Sequence, residues 1–221
     1  MKKEIIRAEN LTREFIVGNE VVHALRGVDF SIQEGEFVTI MGTSGSGKST
    51  LLNLLGCLDT PTTGDYYLDG ISVRTMNKNE RATLRNRKIG FIFQSYNLLA
   101  KTTAIDNVQL PLMYNPEISA KERYERSVRA LNEVGLSERL THKPNQLSGG
   151  QQQRVAIARA LVNEPVIILA DEATGNLDTR TSFEIITLLQ RLNTEEGRTI
   201  VFVTHNPEMA EYCSRNIVLR D

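Results

Sequence analysis

The clearest pattern in the chain is a set of short, predominantly apolar runs that alternate with segments of helical periodicity. The runs occupy residues 37–41, 166–170 and 199–203, and they are typical of central strands in a parallel sheet because such strands are buried on both faces. Between the last two runs, residues 182–193 carry apolar side chains at helical spacing: Phe183, Ile186, Leu189 and Leu192. This alternation predicts an α/β fold with a parallel sheet covered on both sides.

The N-terminal part of the chain has a different pattern. Residues 5–10 and 21–32 read as strands, the second with partial alternation of apolar and polar side chains, and Gly18-Asn19 between them is a turn signal. We therefore expect an N-terminal antiparallel β arm. Residues 65–73 indicate a further strand-turn-strand unit centred on Asp69-Gly70.

Residues 95–161 are mainly helical in pattern. Ser119 followed by Glu122 is a capping-box signature, apolar residues then recur at helical spacing, and Gly135 is a suitable stop. We expect a single domain over residues 1–221. Its core would consist of about 1–94 and 162–221, with an inserted α-helical subdomain at about 95–161.

The composition is ordinary for a globular protein of 221 residues, with 40% hydrophobic and 24% charged residues. A net charge of −1 gives no electrostatic reason to expect nucleic acid. No apolar run approaches the length of a membrane span or a signal-peptide core. We therefore expect a cytosolic protein whose role at a membrane would require a partner chain. Cys57 and Cys213 suit a reducing compartment and are interpreted as apolar fillers.

The first chemical motif follows the apolar run at residues 37–41. Residues 42–49 read GTSGSGKS, which fits the phosphate-binding pattern G-x-x-x-x-G-K-[ST] between a strand and a helix. Glycines let successive backbone N–H groups turn inward, and the N-terminus of the helix adds positive potential, so the loop suits a polyphosphate. Lys48 is expected to reach the β- and γ-phosphates, and Ser49 to bind Mg²⁺. The alternative is a flexible Gly/Ser loop with a solvated lysine.

A pair of carboxylates follows the second run. Asp171 and Glu172 come at the carboxyl end of the predicted strand, where ligands of α/β sheets collect. Asp171 would hold Mg²⁺ through water, and Glu172 would polarise the attacking water. The alternative is two solvated acids after a strand.

A second anion-binding device is predicted at LSGGQ, residues 147–151. The motif precedes a helical stretch at residues 152–163, so the amides of Ser148, Gly149 and Gly150 would lie at a helix N-terminus. One nucleotide cannot easily use both this device and the phosphate loop of the same chain. A head-to-tail homodimer, in which LSGGQ of one chain closes on the nucleotide of the other, solves this problem. The alternative is an ordinary helix cap without a ligand.

The combination of GxxxxGKS, then LSGGQ roughly a hundred residues later, then VIILADE resembles the ATPase subunit of an ATP-binding-cassette (ABC) transporter over nearly the whole chain. The resemblance implies a P-loop NTPase (RecA-like) core, with ATP and Mg²⁺ as ligands. Gln94 resembles the glutamine that contacts Mg²⁺ and water and senses the membrane partner, and His205 resembles the histidine that touches the γ-phosphate. Asp178 lies in a segment, residues 176–178, that resembles the loop that reports across the dimer in that family. Phe15 falls where the family usually has an aromatic residue, often Tyr, stacked on adenine.

Together, motifs and resemblance give a complete candidate site. The catalytic set is Glu172, His205, Gln94 and Lys48, and the metal ligands are Ser49, Gln94 and Asp171. The nucleotide-binding set is Phe15, Gly42, Thr43, Ser44, Gly45, Ser46, Gly47, Lys48, Ser49, Thr50, Ser148, Gly149, Gly150, Gln151 and Asp178.

Residues 94–99 and 107–112, with ADEATGNLD, are similar to the branch of the family that serves lipoprotein release and macrolide export. That similarity implies an integral membrane permease with a large extracytoplasmic domain as partner, and a peripheral position on the inner face of the membrane. Ala173 and Ala100 stand where relatives usually have proline, and members of the family usually continue beyond the position of Asp221.

Two other classes are weighed against this interpretation. One is a soluble ABC ATPase acting in nucleic-acid or translation processes, whose usual fused cassettes, coiled-coil insertions and basic surfaces are not seen here. The other is a regulatory nucleotide-binding module without sustained turnover, against which the presence of both Glu172 and His205 speaks.

Overall fold

The computed structural model describes residues 2–220, in which nine strands form two sheets. The strands are β1 (Glu4–Val17), β2 (Glu20–Gln33), β3 (Phe37–Gly42), β4 (Thr63–Leu68), β5 (Ile71–Ser72), β6 (Ile89–Phe93), β7 (Ile167–Asp171), β8 (Ile200–Val203) and β9 (Arg215–Leu219). The order is β2-β1-β4-β5 in one sheet and β6-β7-β8-β3-β9 in the other.

The first sheet is the predicted antiparallel arm. Val17 pairs with Glu20 across the two-residue turn at Gly18-Asn19, so the predicted hairpin is confirmed, with longer strands than expected. Asp69 and Gly70 both have positive φ, +53° and +76°, between β4 and β5, as a tight hairpin turn requires.

The second sheet is parallel throughout, as predicted from the apolar runs. β6 and β9 were not predicted. β9 is an edge strand with partly exposed side chains, so it has no apolar signature, and Gly90 interrupts the apolar run of β6. That glycine has a packing reason, because a Cβ there would lie 2.4 Å from the carbonyl oxygen of Ala160.

The helices are α1 (Lys48–Leu55), α2 (Lys78–Lys88), α3 (Ala104–Gln109), α4 (Ala120–Glu133), α5 (Gly149–Leu161), α6 (Thr179–Glu196) and α7 (Pro207–Ala210), with 3-10 turns at Leu110–Tyr114, Ser137–Arg139 and Pro144–Gln146. None of the helices within residues 2–220 has the length and apolarity needed to cross a bilayer.

The predicted capping box of α4 is only half formed. Ser119 Oγ accepts from the backbone N–H of Glu122 at 3.2 Å. The carboxylate of Glu122, however, accepts from Arg126 Nη2 at 2.6 Å instead of returning to the cap, because a charged partner one turn away competes for it. Gly135, with φ +77°, follows the end of the helix as expected.

Helix α5 occupies a central position between the helical segment and the parallel sheet. It packs against α3 and α4 on one side and against β6 on another, and Val155, Ala156 and Ile157 are fully buried. The middle of α5 is therefore packed tightly against its neighbours, whereas Ser148 at its start is exposed. The subdomain boundaries near residues 94 and 162 stay a prediction.

Candidate nucleotide-binding and catalytic site

Four neighbouring strands of the parallel sheet lead into predicted functional segments. Gln94 follows β6, Asp171 ends β7 and Glu172 comes next, His205 lies shortly after β8, and Gly42 ends β3. Because these strands are parallel and adjacent in the order β6-β7-β8-β3, their carboxyl ends lie along one edge of the sheet, where ligands of such sheets bind.

The loop between β3 and α1 has the conformation that its glycines allow. Gly45 and Gly47 have φ of +88° and +87°, in the left-handed region that favours glycine. A Cβ at Gly47 would lie 2.4 Å from the carbonyl oxygen of Ala24 in β2. The loop is therefore packed directly against the antiparallel arm.

The side chains of the loop suit a polyphosphate. Lys48 Nζ donates to the carbonyl oxygens of Gly42 at 2.8 Å and Thr43 at 2.6 Å, which holds the ammonium group over the loop. The hydroxyl of Ser46 is buried and has no hydrogen-bond partner, so it retains a donor for an anion. Thr43, Ser44 and Ser49 are exposed, and Thr50 is half-buried in the first turn of α1. These groups fit the β- and γ-phosphates of a nucleotide.

Asp171 is a half-buried carboxylate whose environment favours a cation. Burial, and then the charge of Glu172, raise its pKa above the ordinary value. A divalent cation would reverse this effect, because a nearby positive charge stabilises the ionised carboxylate. Within residues 2–220, three or more acidic, His or Cys side chains do not cluster around a metal position. Mg²⁺ is usually held by one or two carboxylates together with phosphate oxygens, and Asp171 is a candidate for such a carboxylate.

Glu172 lies at the centre of the candidate catalytic site. Its backbone φ is +43°, unusual for a residue with a side chain, and its N–H donates to the carbonyl oxygen of Val203 at 2.9 Å. Its Oε1 lies 2.9 Å from Nδ1 of His205. The side chain of Glu172 is 28% exposed and that of His205 is 70% exposed, so this pair faces the open edge of the sheet, where substrate water is available.

Gln94 is engaged with the loop that follows Glu172. Its Nε2 donates to Asn176 Oδ1 at 3.2 Å, and Asn176 Nδ2 donates to the Gln94 carbonyl oxygen at 3.1 Å. A Cβ at Gly175 would lie 2.5 Å from Gln94 Nε2. The structure therefore brings the two loops after β6 and β7 into direct contact.

Residues 148–151 form the predicted helix N-terminus. Ser148 Oγ accepts from the N–H of Gln151 at 3.3 Å, and Gln151 Oε1 accepts from the N–H of Ser148 at 3.0 Å, so both take part in a capping box. A Cβ at Gly149 would approach the hydroxyl of Tyr96 to 3.0 Å, and one at Gly150 would approach Thr181 to 2.5 Å.

The N-terminus of α5, the half-site predicted to bind the nucleotide of a second chain, therefore lies beside the loops after β6 and β7 of its own chain. It does not lie at the phosphate loop of that chain. β6 and β3 are separated by three strand spacings, about 14 Å. The structure does not bring Ser148 to the phosphate loop of its own chain, and Ser148 itself is exposed.

Phe15 and Asp178 lie at the periphery. The side chain of Phe15 is 37% exposed, and the residue pairs with Val22 across the hairpin. Val22 lies two residues before Ala24, whose carbonyl oxygen is close to Gly47 of the phosphate loop. The guanidinium of Arg13 lies 4.5 Å from the centroid of the Phe15 ring, and Arg13 Nε lies 2.8 Å from Asp59. The arm thus presents an aromatic ring beside the loop.

Asp178 caps α6. Its carboxylate accepts from the N–H and the hydroxyl of Thr181 at 3.0 and 2.6 Å. These bonds hold its pKa below the ordinary value. Asp178 is the last residue of the loop after β7, the loop whose Asn176 bonds to Gln94. The neighbouring Leu177 packs near Gly149.

Several residues that contact this site were not predicted, among them Arg13, Gln153 and Arg159. Arg13 could have been found from its spacing, since residues i and i+2 share one face of a strand. Gln153 lies at a position of α5 that shares a face with Ile157 and Ala160, and a polar residue on an apolar helix face is a signal for a buried hydrogen bond.

Comparisons with known proteins agree with this geometry. A family model described as ABC transporter matches residues 25–175. The chain is 51% identical over 220 residues to the ABC transporter ATP-binding protein MJ0796 of Methanocaldococcus jannaschii, covering 98% of this chain and 94% of that protein. It is also 50% identical to the macrolide export ATP-binding/permease protein MacB of Syntrophobacter fumaroxidans, over 99% of this chain but only 31% of the longer relative.

Among solved structures, the fold is similar to the dimeric structure of a post-hydrolysis state of the ATP-binding cassette MJ0796 bound to ADP and Pi. The TM-score is 0.88 at 48% identity, covering 98% of this chain and 94% of that chain. From the family match over more than half of its length, and from relatives at about half identity over nearly all of it, the chain belongs to the ABC transporter family as an Mg²⁺-dependent ATP-binding and ATP-hydrolysing subunit.

Proposed function

We propose that this ATPase works as a head-to-tail homodimer that encloses two ATP molecules and drives a membrane permease of the lipoprotein-release or macrolide-export kind. The subunit would lie on the inner face of the membrane, held there by the permease, which would carry a large extracytoplasmic domain. One relative combines the same ATP-binding segment with a permease in a single chain, as its name states. The similar structure with ADP and Pi is dimeric.

The observation that carries the dimer is the separation of the two anion-binding devices. The phosphate loop follows β3, whereas Ser148 to Gly150 lie beside the ends of β6 and β7. Within one chain, the phosphate loop and the N-terminus of α5 therefore cannot bind the same nucleotide. A second copy in head-to-tail orientation supplies the missing half to each.

Within one subunit, the roles follow from position. Lys48 and the loop amides would hold the β- and γ-phosphates, and Ser49, Asp171 and Gln94 would hold Mg²⁺, which neutralises charge on the transferred phosphoryl group. Glu172 would orient and polarise the attacking water. His205, 2.9 Å from Glu172, would contact the γ-phosphate. Phe15 would stack on the adenine, and Asp178 would face the partner subunit.

The permease would dock in a groove of about 740 Å³ between α2, β6 and the turn at Leu110–Tyr114. Phe93, directly before Gln94, lines it, as does Asn97 in the following loop. A helix in this groove would contact the backbone on both sides of Gln94, which gives a direct route from nucleotide state to permease. The relatives named above are transporter proteins, so nothing favours a role in nucleic-acid or translation processes.

The test of the dimer is Ser148→Arg. We expect this variant to bind ATP as a monomer with the parental affinity, because Ser148 is remote from its own phosphate loop. It should fail to dimerise and should lose nearly all ATPase activity, since an arginine would fill the space for the partner's nucleotide. Fluorescent-nucleotide binding and light scattering measure the two effects. Equal loss of monomer binding would contradict a site shared between subunits, and Ser137→Arg, on an exposed turn, is the control.

A further inference from the structure

One fully buried glutamine connects three functional segments. Gln153 lies on α5, little more than one turn after Ser148, and is 0% exposed. Its Nε2 donates to the carbonyl oxygen of Phe93 at 3.3 Å and to that of Ala173 at 2.5 Å. Its Oε1 is buried without a partner. The hydrogen bonds of this side chain are therefore all made by its donor group.

The two acceptors are the backbone neighbours of two catalytic residues. Phe93 directly precedes Gln94, and Ala173 directly follows Glu172. Phe93 is the last residue of β6 and pairs with Asp171 at the end of β7. A single amide group therefore fixes the chain where both strands turn into the catalytic site.

The backbone at Glu172 gives this contact particular weight. The left-handed φ of +43° is costly for a side chain other than glycine and persists only where the surroundings impose it. The N–H of Glu172 donates to Val203, and its carbonyl oxygen accepts from Gly175. The next carbonyl group along the chain, that of Ala173, accepts from the side chain of Gln153.

A second residue of α5 holds the other side of Gln94. Arg159 donates to the carbonyl oxygens of Tyr96 at 2.8 Å and Asn97 at 2.6 Å, and both residues have positive φ, +59° and +50°. The loop after Gln94 is therefore tied to the same helix. A displacement of α5 along its axis would move the backbone before and after Gln94 and after Glu172 together.

We propose that Gln153 is a positioning residue that couples the two ATP sites of the dimer. The inference rests on the proposed function, in which Ser148 at the start of α5 binds the nucleotide of the partner subunit. ATP in the partner's site would fix α5, and Gln153 would transmit that position to Glu172 and Gln94 in its own site. Each subunit would then reach its catalytic geometry only when the opposite site is filled.

A purely structural role makes a different prediction. If Gln153 only satisfied two buried carbonyl groups, its loss would lower the melting temperature and leave the turnover of the folded protein unchanged. A coupling role lowers turnover and cooperativity while nucleotide affinity stays constant, since Gln153 does not contact the phosphate loop.

The test is Gln153→Met, which keeps the length and volume of the side chain but removes the donor. The matched control is Gln152→Met, one residue earlier, where the amide donates only to the local carbonyl oxygen of Leu147 at 3.1 Å. ATPase rate against ATP concentration gives kcat, the half-saturating concentration and the Hill coefficient. Fluorescent-nucleotide binding gives the affinity of the monomer, and thermal denaturation gives the folded fraction.

We expect kcat of Gln153→Met to fall about tenfold or more, because small misplacements of catalytic groups are expensive. The Hill coefficient should fall from above 1 in the parent to about 1, with nucleotide affinity at the parental value. Gln152→Met should behave as the parent. Gln153→Asn keeps the amide but is one methylene shorter, so it should show the same changes to a smaller extent. It replaces Gln153→Met as the test if that variant does not fold.

Parental kcat and Hill coefficient in both Gln153 variants, with Ser148→Arg inactive, would overturn this inference and leave the proposed function standing. Full activity of Ser148→Arg would overturn the proposed function, and this inference with it. The two failures are therefore distinguishable.

Discussion

Single residues of the site combine chemical function with unfavourable local conformation. Glu172 has a left-handed backbone, which costs about 1–3 kcal/mol for such a residue, and this places its carboxylate 2.9 Å from His205. Asp171 beside it is half-buried, with a raised pKa. Burial opposes the ionisation of Asp171 in the isolated fold, and a bound Mg²⁺ would favour the ionised carboxylate.

Glu172→Gln tests the role of this carboxylate. The amide has nearly the same shape but is neutral and cannot act as a base, so we expect ATP binding to persist while kcat falls about 100-fold or more. Because bound ATP is no longer consumed, an ATP-dependent dimer should accumulate and be visible by light scattering.

The control for that variant is Glu184→Gln, on α6 and away from the edge of the sheet. It should hydrolyse ATP as the parent does. If Glu172→Gln also turned over at the parental rate, another group would have to activate the water.

For single residues, the sequence predicted the local structural context better than the long-range contacts. The motifs correctly predicted that Lys48 begins a helix after a strand, that Glu172 follows a strand and that Ser148 precedes a helix, because these contexts are local. The chemical roles of the three residues stay a prediction. It could not predict that Gln153 reaches Phe93 and Ala173, since those contacts join residues 60 and 20 positions apart through packing of α5 on the sheet.

Among the elements, the sequence predicted best those strands whose side chains are buried on both faces, because they form continuous apolar runs. The central strands of the parallel sheet have both faces buried and were predicted within a residue. The two edge strands, β9 and β6, were missed because β9 is half-exposed and β6 contains Gly90. Helix α2 was missed as well, since only Leu84 of its residues is buried, which leaves hardly any apolar periodicity to detect.

The junction between α4 and α6 gives a pH-dependent prediction. Glu133 ends α4 and Glu196 ends α6. Burial, followed by the hydrogen bond and charge of Glu196, raises the pKa of Glu133 from an ordinary 4.5 to about 7. The positive charges of Arg198 and then Arg191 oppose the shift only in part. Arg191 also donates to the Glu133 carbonyl oxygen at 2.6 Å.

Between about pH 4.5 and 7 the folded state keeps a proton that the unfolded state has lost, so stability falls as pH rises through this window. Glu133→Gln removes this titration. We expect its melting temperature to exceed that of the parent at about pH 8 and the difference to shrink toward about pH 5. Glu125→Gln, exposed on the same helix, is the control and should show no such trend.

On the scale of the whole molecule, the fold separates three tasks and joins them through α5. The carboxyl edge of the parallel sheet carries the predicted phosphate loop and the candidate catalytic residues. In the proposed function, the N-terminus of α5 would bind the nucleotide of a second subunit, and the groove beside β6 would receive the permease. Arg159 ties α5 to the loop after β6, and Arg159 and Asn97 also line the groove. In the proposed function, nucleotide state and permease docking would therefore act on the same backbone.

The charge of this groove predicts the chemistry of the permease segment. Arg85, Arg87 and Arg159 line it, together with Tyr114, which is 78% exposed. Arg85 and Arg159 donate to internal carbonyl oxygens, so Arg87 is the cation most available to a partner. A cytoplasmic helix with an acidic residue and an apolar face would complement this surface.

Arg87→Glu should therefore weaken capture of the permease by about tenfold, because a like charge would then face the acidic residue. The measurement is retention of an integral membrane permease, identified by mass spectrometry, from detergent-solubilised membranes on the tagged subunit. Arg129→Glu, which reverses an exposed charge on α4, is the matched control. The isolated variant should still hydrolyse ATP, since the groove lies outside the nucleotide site. Equal retention by both variants would mean that the permease docks elsewhere, and the route from Gln94 to the membrane would then have to run through a different surface.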